Sequence, residues 1–385
     1  MACIVKTPQN ASKGVLVVTD GEYRDLLHEN PAMRALFERL RSRWLIAVHA
    51  NSAIRQSYDA DSLVDVFIAG PGDIASAGPE PLPQIAMDCS NFSPAFFAPI
   101  AGGGRFWDVL FISRNQPFKS LDRLFDIVRA LFDQAPVRVL AVIAHTSLDD
   151  LATSRPLQLY RERFSAKERK LFTLLTPWID YPFCLDLPTL AQLYHNARLF
   201  LHTAAEERHP RVVGYAWAAG LPVVAPNSAA ALLPANMAQP PGFFAFDSVE
   251  EAVGQIRHAL QVTALPAAYS QFHLASFQTE RFKTEIRDLY ARHAEPFSDS
   301  GWQLDDLDIR LARHHDIRAG SNSYRASLYQ FAALLENPLP DASGPGIEDT
   351  LDAAALKQTD TPAPQSRADS NGLRRVMRNV LGRLG

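Results

Sequence analysis

RLFLHTAAEERHPRVVGYAWAAGLPVVA, residues 198–225, reads as strand, polar loop, helix and strand in succession. Arg198–His202 is an apolar run of strand length, and Pro222–Ala225 is another. Between them, Val212–Ala219 carries Ala216, Ala218 and Ala219, small residues that let a helix lie close on a sheet. Gly220 ends that helix where the backbone turns left-handed, a conformation that a Cβ resists. Strands joined through a helix run parallel and belong to an α/β fold. The loop between crowds Glu206, Glu207, Arg208, His209 and Arg211 at a strand end. Ligands of open parallel sheets bind beyond the carboxyl ends of the strands, where helix N-termini attract phosphate. The loop reads either as a site for phosphate and sugar hydroxyls or as a surface loop closed by its own ion pairs.

The same alternation extends in both directions. Trp107–Ser113 and Val137–Ala144 read as strands; Leu121–Asp133, Tyr160–Leu175 and Leu187–Ala197 read as helices. Ser248–Leu260 reads as a helix with Ser248 as its N-cap and Glu250 and Glu251 in its first turn, where negative charge suits the dipole. These units make one doubly wound domain. Upstream, Gly14–Thr19, Trp44–His49 and Val64–Ala69 read as strands, with Pro31–Arg43 an amphipathic helix. Gly102-Gly103-Gly104 leads into a strand without opening a helix and reads as a hinge. Leu304–Asn337 reads as helical. Residues 338–371 are rich in Pro and acids and lack aromatics, which predicts a disordered linker. In 372–385, Arg374, Arg375, Arg378 and Arg383 flank a stripe of Leu373, Val376, Met377, Val380 and Leu384, a basic amphipathic helix.

Composition narrows the function. A net charge of −4 argues against a general polyanion binder, so no nucleic-acid partner is expected. The three cysteines, Cys3, Cys89 and Cys184, form no CxxC pair, which predicts neither a disulfide framework nor a structural metal site and suits a reducing cytosol. The first ten residues hold no signal-peptide core, and no window is apolar enough to span a bilayer. The expectation is a soluble, cytoplasmic chain. After strand Trp107–Ser113, Arg114 and Lys119 put two cations ahead of a helix N-terminus, with Pro117 stiffening the turn; that pair suits a diphosphate, or it is two solvated surface cations. Asn227 and Ser228 follow strand Pro222–Ala225 and read as donor contacts or as a plain turn.

These phrases resemble the retaining GT-B glycosyltransferases of the glycosyltransferase family 4 (group 1) type. Residues 87–94 (MDCSNFSP) resemble the family's interdomain phrase, and Ser113-Arg114 with Lys119-Ser120 resembles its diphosphate-binding "GR…KG". Leu190–Thr203 resembles the segment before its E-x7-E motif, and counting back from Gly220 aligns Glu207 with the first Glu. Tyr215 stands where the second Glu, the ribose contact, is expected, and Arg208-His209-Pro210 replaces Gly-Phe-Gly. In the family roughly twice as much chain precedes the interdomain phrase, and no glycine-rich acceptor loop follows the first strand here. The family's N-domain histidine has a candidate in His49, with Asp20 and Glu22 as other strand-end candidates.

The resemblance implies a GT-B-like α/β fold of two Rossmann-like doubly wound domains. It divides the chain into a reduced acceptor-side domain (1–100), a nucleotide-sugar-binding domain (101–283), a helical extension (284–337), the linker and the basic helix. It implies sugar transfer from a nucleotide-sugar donor, which is substrate and not cofactor, to an acceptor hydroxyl on a glycan, a lipid-linked molecule or a protein. Glu207, Arg114 and Lys119 would be catalytic; Arg114, Lys119, His209, Arg211, Tyr215, Asn227 and Ser228 would hold the donor. Asp59-x-Asp61 and Asp306-x-Asp308 follow no apolar strand, so no metal ligand is assigned and a cation-assisted mechanism is expected. The alternatives are a weak or inactive GT-B-like subunit that needs a partner, and a nucleotide-sugar epimerase. The basic helix reads as a peripheral membrane contact on the inner face, as a docking segment, or as a frayed tail.

Overall fold

Runs such as GVLVVT and WLIAVH, apolar up to their last residue and buried at every position, need both faces covered, and the chain uses them as central strands. The first sheet contains β1 (Ala2–Lys6), β2 (Gly14–Thr19) and β3 (Trp44–His49), followed after a short β4 (Gln56–Tyr58) by β5 (Val66–Ala69). After β6 (Ile74–Ser76), which pairs with β4 alone, β7 (Gln84–Ala86) completes it. Its order is β1-β2-β3-β5-β7, with β1 antiparallel at one edge and the rest parallel. The computed structural model describes residues 2–19, 31–50, 56–58, 63–69, 74–76, 83–100, 102, 104–145, 154–177, 185–204, 210–227, 242–262 and 265–311. All of these lie within the unit Met1–Ala332, and a second unit, Ala333–Gly385, is outside them together with the expected linker and basic helix.

The second sheet is wholly parallel. It holds β8 (Trp107–Arg114), β9 (Val139–Ala144), β10 (Phe172–Leu175), β11 (Ala197–Leu201), β12 (Val223–Pro226) and β13 (Phe243–Phe246) in the order β10-β9-β8-β11-β12-β13. Numbered within the domain this is 3-2-1-4-5-6, the order of a Rossmann sheet. The period of two along each strand separates two cores. Val109, Phe111, Val139, Ala141, Leu199 and Leu201 face one, shared with α2 (Leu121–Gln134), α3 (Arg155–Arg163) and α6 (Val249–Ala259). Leu110, Ile112, Leu140, Val142, Phe200 and Val223 face the other, shared with α4 (Leu187–His195) and α5 (Arg211–Ala218). In the first half, α1 (Pro31–Leu40) joins β2 to β3. Two Rossmann-like halves in tandem make the chain an α/β protein of GT-B-like architecture.

Several elements depart from the sequence reading. Tyr160–Leu175 is not one helix: α3 ends at Arg163, and Phe172–Leu175 is the edge strand β10. Its phrase FTLL alternates too weakly to announce a strand, and pairing with β9 supplies the rest. The 283/284 boundary falls inside α8 (Ala275–Arg292), which follows the short α7 (Ala267–Phe272). Of Leu304–Asn337, the described part holds only a short turn of helix, Leu307–Ile309.

Helix α8 returns the chain to the first sheet. Phe282, Ile286, Leu289 and Tyr290 form one stripe and pack with Val5, Val17, Ala47, Ile68 and Ile85 in a core that also includes Leu307 and Leu311. The segment beyond pairs with β1: Thr7 N donates to Gly301 O (2.7 Å) and Gln303 N to Val5 O (2.9 Å). Lys6 is buried in that seam, its ammonium 5.6, 5.7 and 6.0 Å from the rings of Tyr290, Phe297 and Trp302. Burial lowers its pKa, against the pull of Asp299.

The two halves also meet where α5 crosses the 3-10 turn Cys89–Asn91. A Cβ on Gly214 would lie 2.2 Å from Ser90 O, so glycine is what allows the approach. Gly214→Ala is expected to cost about 1–3 kcal/mol, read as a lower urea midpoint; a wild-type midpoint would mean that α5 does not approach the turn this closely.

His273 is buried 4.8 Å from the Trp217 ring and 5.7 Å from the Tyr269 ring, and burial lowers its pKa to about 3. The unfolded chain takes up a proton at this histidine below pH 6.5, and the folded chain does so only near pH 3. This contribution therefore falls by about 1.4 kcal/mol per pH unit as the pH drops through that window. His273→Gln should flatten the stability-versus-pH slope between those limits by about one proton's worth; an unchanged slope would place the ring in water.

Candidate functional site

The order of the second sheet reverses between β8 and β11. The connection after β8 leaves toward α2 on one face, and that after β11 leaves toward α5 on the other. In open parallel sheets such a reversal is the place outside whose carboxyl edge ligands bind.

Arg114 is the last residue of β8, in register with Ala144 of β9. Asn115 N donates to Ala144 O (2.8 Å), and Asn115 Nδ2 lies 3.3 Å from Nδ1 of His145, the residue that follows β9. The chain then makes a 3-10 turn, Pro117–Lys119. Lys119 is largely buried, its ammonium 4.8 Å from the Phe118 ring centroid. Ser120 follows at φ 51°, a left-handed position that glycine fills without strain and where the resembled family has glycine. Thr203, two residues past β11, donates from Oγ1 to Lys119 O (2.8 Å). Three adjacent strand ends are thus fastened together.

Helix α5 begins at Arg211, and its N-cap, Pro210, makes no side-chain capping bond. Arg211 Nη1 donates to Asp308 O (3.3 Å). Tyr215 is fully buried, its ring stacked on Phe97 (centroids 4.3 Å, planes 7° apart) and its hydroxyl donating to Asp308 Oδ2 (2.6 Å). Burial first, and then the Asp308 carboxylate, raise its pKa well above the usual value for tyrosine.

Arg114, Lys119 and Arg211 therefore lie on the carboxyl side of the sheet at neighbouring strand ends. Tyr215 departs from the expected nucleotide contact, because its side chain points into the core and offers no surface to a ligand. Asn227, at the end of β12, donates from Nδ2 to both carboxylate oxygens of Asp247 (3.0 and 2.9 Å). His49, the last residue of β3, is buried with Nε2 3.5 Å from Asp88 Oδ2. Glu207, His209 and Ser228 lie outside the described residues, as do Asp20, Glu22, Asp59 and Asp61. Asp308 of the Asp306-x-Asp308 pair is buried against Tyr215. Asn115, His145 and Thr203 carried no role in the sequence reading. The signal was available: each is a polar residue directly after, or two places past, an apolar strand run.

No protein-family model matches the chain, and no curated protein matches it. Among solved structures, it is similar to the pneumococcal O-GlcNAc transferase GtfA in complex with UDP and GlcNAc, at 14% identity and a TM-score of 0.45, covering 66% of this chain and 54% of that one. It is also similar to Anabaena HepE in complex with UDP, at 17% identity and a TM-score of 0.44, covering 68% of this chain and 76% of that one. A third similarity, at 12% identity and a TM-score of 0.35, covers 53% of this chain and the whole C-terminal domain of the group 1 glycosyl transferase LpcC from Francisella tularensis. The chain spans about half the length of the GtfA chain it matches.

Tyr215→Phe removes a buried hydrogen bond to a carboxylate and is expected to cost about 1–3 kcal/mol of stability. A wild-type urea midpoint in this variant would mean that the hydroxyl makes no such bond.

Proposed function

We propose that the chain moves a sugar from a nucleotide-sugar donor to an acceptor hydroxyl, with retention and without a divalent ion at the diphosphate. The observation that carries this reading is the Thr203–Lys119 tie at the point of sheet reversal. It ties the loop that carries Lys119 to the strand end that leads toward α5, which supports a shared site for the cations after β8 and the start of α5. Departure of a nucleoside diphosphate puts growing negative charge on the β-phosphate oxygens as the bond to the sugar's anomeric carbon breaks. Arg114, Lys119 and the leading amides of α5 near Arg211 are the groups that answer that charge. Donors fixed in place before the reaction are worth a few kcal/mol each, because they need no reorganisation.

The remaining assignments rest on the sequence resemblance. The resemblance assigns Glu207 to the reaction centre at the donor sugar, and His209, Asn227 and Ser228 to donor binding. The acceptor hydroxyl, on a glycan, a lipid-linked molecule or a protein, gives up its proton as the new glycosidic bond forms.

Melting-temperature screening with UDP-, GDP- and ADP-sugars identifies the donor. With that donor, Arg114→Ala and Lys119→Ala are each expected to lower turnover by a factor of about 100 while leaving the fold intact by circular dichroism. Unchanged turnover in both variants removes their assigned role. Donor binding without transfer by the wild-type chain favours a subunit that needs a partner, and an epimerised product favours an epimerase.

A further inference from the structure

His49, Asp88 and Cys89 meet at the carboxyl edge of the first sheet. His49 ends β3, and Asp88 and Cys89 follow β7. All three side chains are buried. The His49 Nε2, an Asp88 carboxylate oxygen and the Cys89 Sγ each offer one ligand atom, and the ligand atoms of the trio lie within 4.8 Å of one another. Among the described residues this is the one such group.

Two further observations point to a bound ion. First, neither ring nitrogen of His49 has a hydrogen-bond partner, although the ring is completely enclosed. A neutral imidazole carries one donor and one acceptor, and proteins seldom enclose both without satisfying either. Second, the carboxylate is fixed in place. Asp88 Oδ1 accepts from Ser90 N (2.8 Å) and from the Cys89 thiol (3.1 Å), while Asp88 N donates to Asn91 Oδ1 (2.8 Å). That capping turn directs Oδ2 toward His49 Nε2 at 3.5 Å.

We propose that His49, Asp88 and Cys89 bind a zinc-type divalent cation. Zinc bonds of about 2.0–2.3 Å to N, O and S give tetrahedral ligand-to-ligand edges of roughly 3.3–3.6 Å, comparable to the His49–Asp88 separation. Imidazole with thiolate selects zinc or cobalt over magnesium or calcium, which prefer all-oxygen ligands. A metal-bound cysteine is a thiolate, so binding expels the thiol proton to solvent. The ion joins the end of β3 to the turn on which α5 packs, and so fastens the seam between the halves. Its ligands are separate from Arg114 and Lys119, and the site stands whether or not the donor reading holds.

Because the ligands are enclosed, the ion enters as the chain folds, and loading belongs in the expression medium. Full-length protein grown with Zn2+ and dialysed is expected to retain close to one zinc per chain by elemental analysis. Growth with Co2+ should give a thiolate-to-cobalt charge-transfer band. Cys89→Ser should abolish the band, and His49→Gln should weaken retention roughly tenfold or more. Cys3→Ser and Cys184→Ser should keep both signals. Wild-type protein without stoichiometric metal overturns the proposal, and so does a band that survives Cys89→Ser or disappears with Cys3→Ser or Cys184→Ser. If Cys89→Ser does not fold, the wild-type content and band decide alone: both present support the site, and either one missing overturns it.

Discussion

The passage of α5 over the Cys89–Asn91 turn, with Gly214 against the Ser90 carbonyl, is the constraint on which the rest depends. One backbone can press on another only where no Cβ intervenes. That contact joins the carboxyl edge of the first sheet to the start of the helix that follows β11 in the second. Asp88 caps the turn on one side, and Asp308 receives Tyr215 on the other. A carboxylate that reached outward from position 215 would leave this seam open. A buried phenol closes it and settles the helix between Phe97 and Asp308.

The chemistry follows from topology more than from any one side chain. Reversal of strand order between β8 and β11 sets the carboxyl ends of two different βα units side by side. The Thr203 hydroxyl bridges those ends by binding the Lys119 carbonyl. The lysine is positioned by its backbone, and its ammonium lies 4.8 Å from the Phe118 ring centroid. Ser120 holds a left-handed conformation immediately before α2, so the loop keeps its shape at some cost in backbone strain.

Much of this is legible in the residues. The phrase 198–225 yields β11, α5 and β12 almost to the residue, and Gly220 has the positive φ of 68° that its place after a helix requires. Ser248 and Glu251 form the capping box of α6, as their spacing suggests. What escapes is whatever long-range pairing decides. FTLL becomes β10 only beside β9, and ACIVK becomes an antiparallel edge only beside β2. Tyr215 looked like a weakened ligand because its partner, Asp308, is 93 residues away. The meeting of His49 with Asp88 and Cys89 has no local spacing to read, since β5 and β7 lie between the two segments in sequence.

The core of the first sheet joins Cys3, Val5 and Val15 to Phe282, Tyr290 and Leu311. A ribosome releases the first group long before the last. The opening strands therefore emerge without the helix that seals one of their faces, whereas the six-stranded sheet acquires nearly all of its own residues in one contiguous stretch. Synthesis favours an order in which the later half matures first and the earlier half waits, its apolar face open to chaperones, until the returning helix arrives.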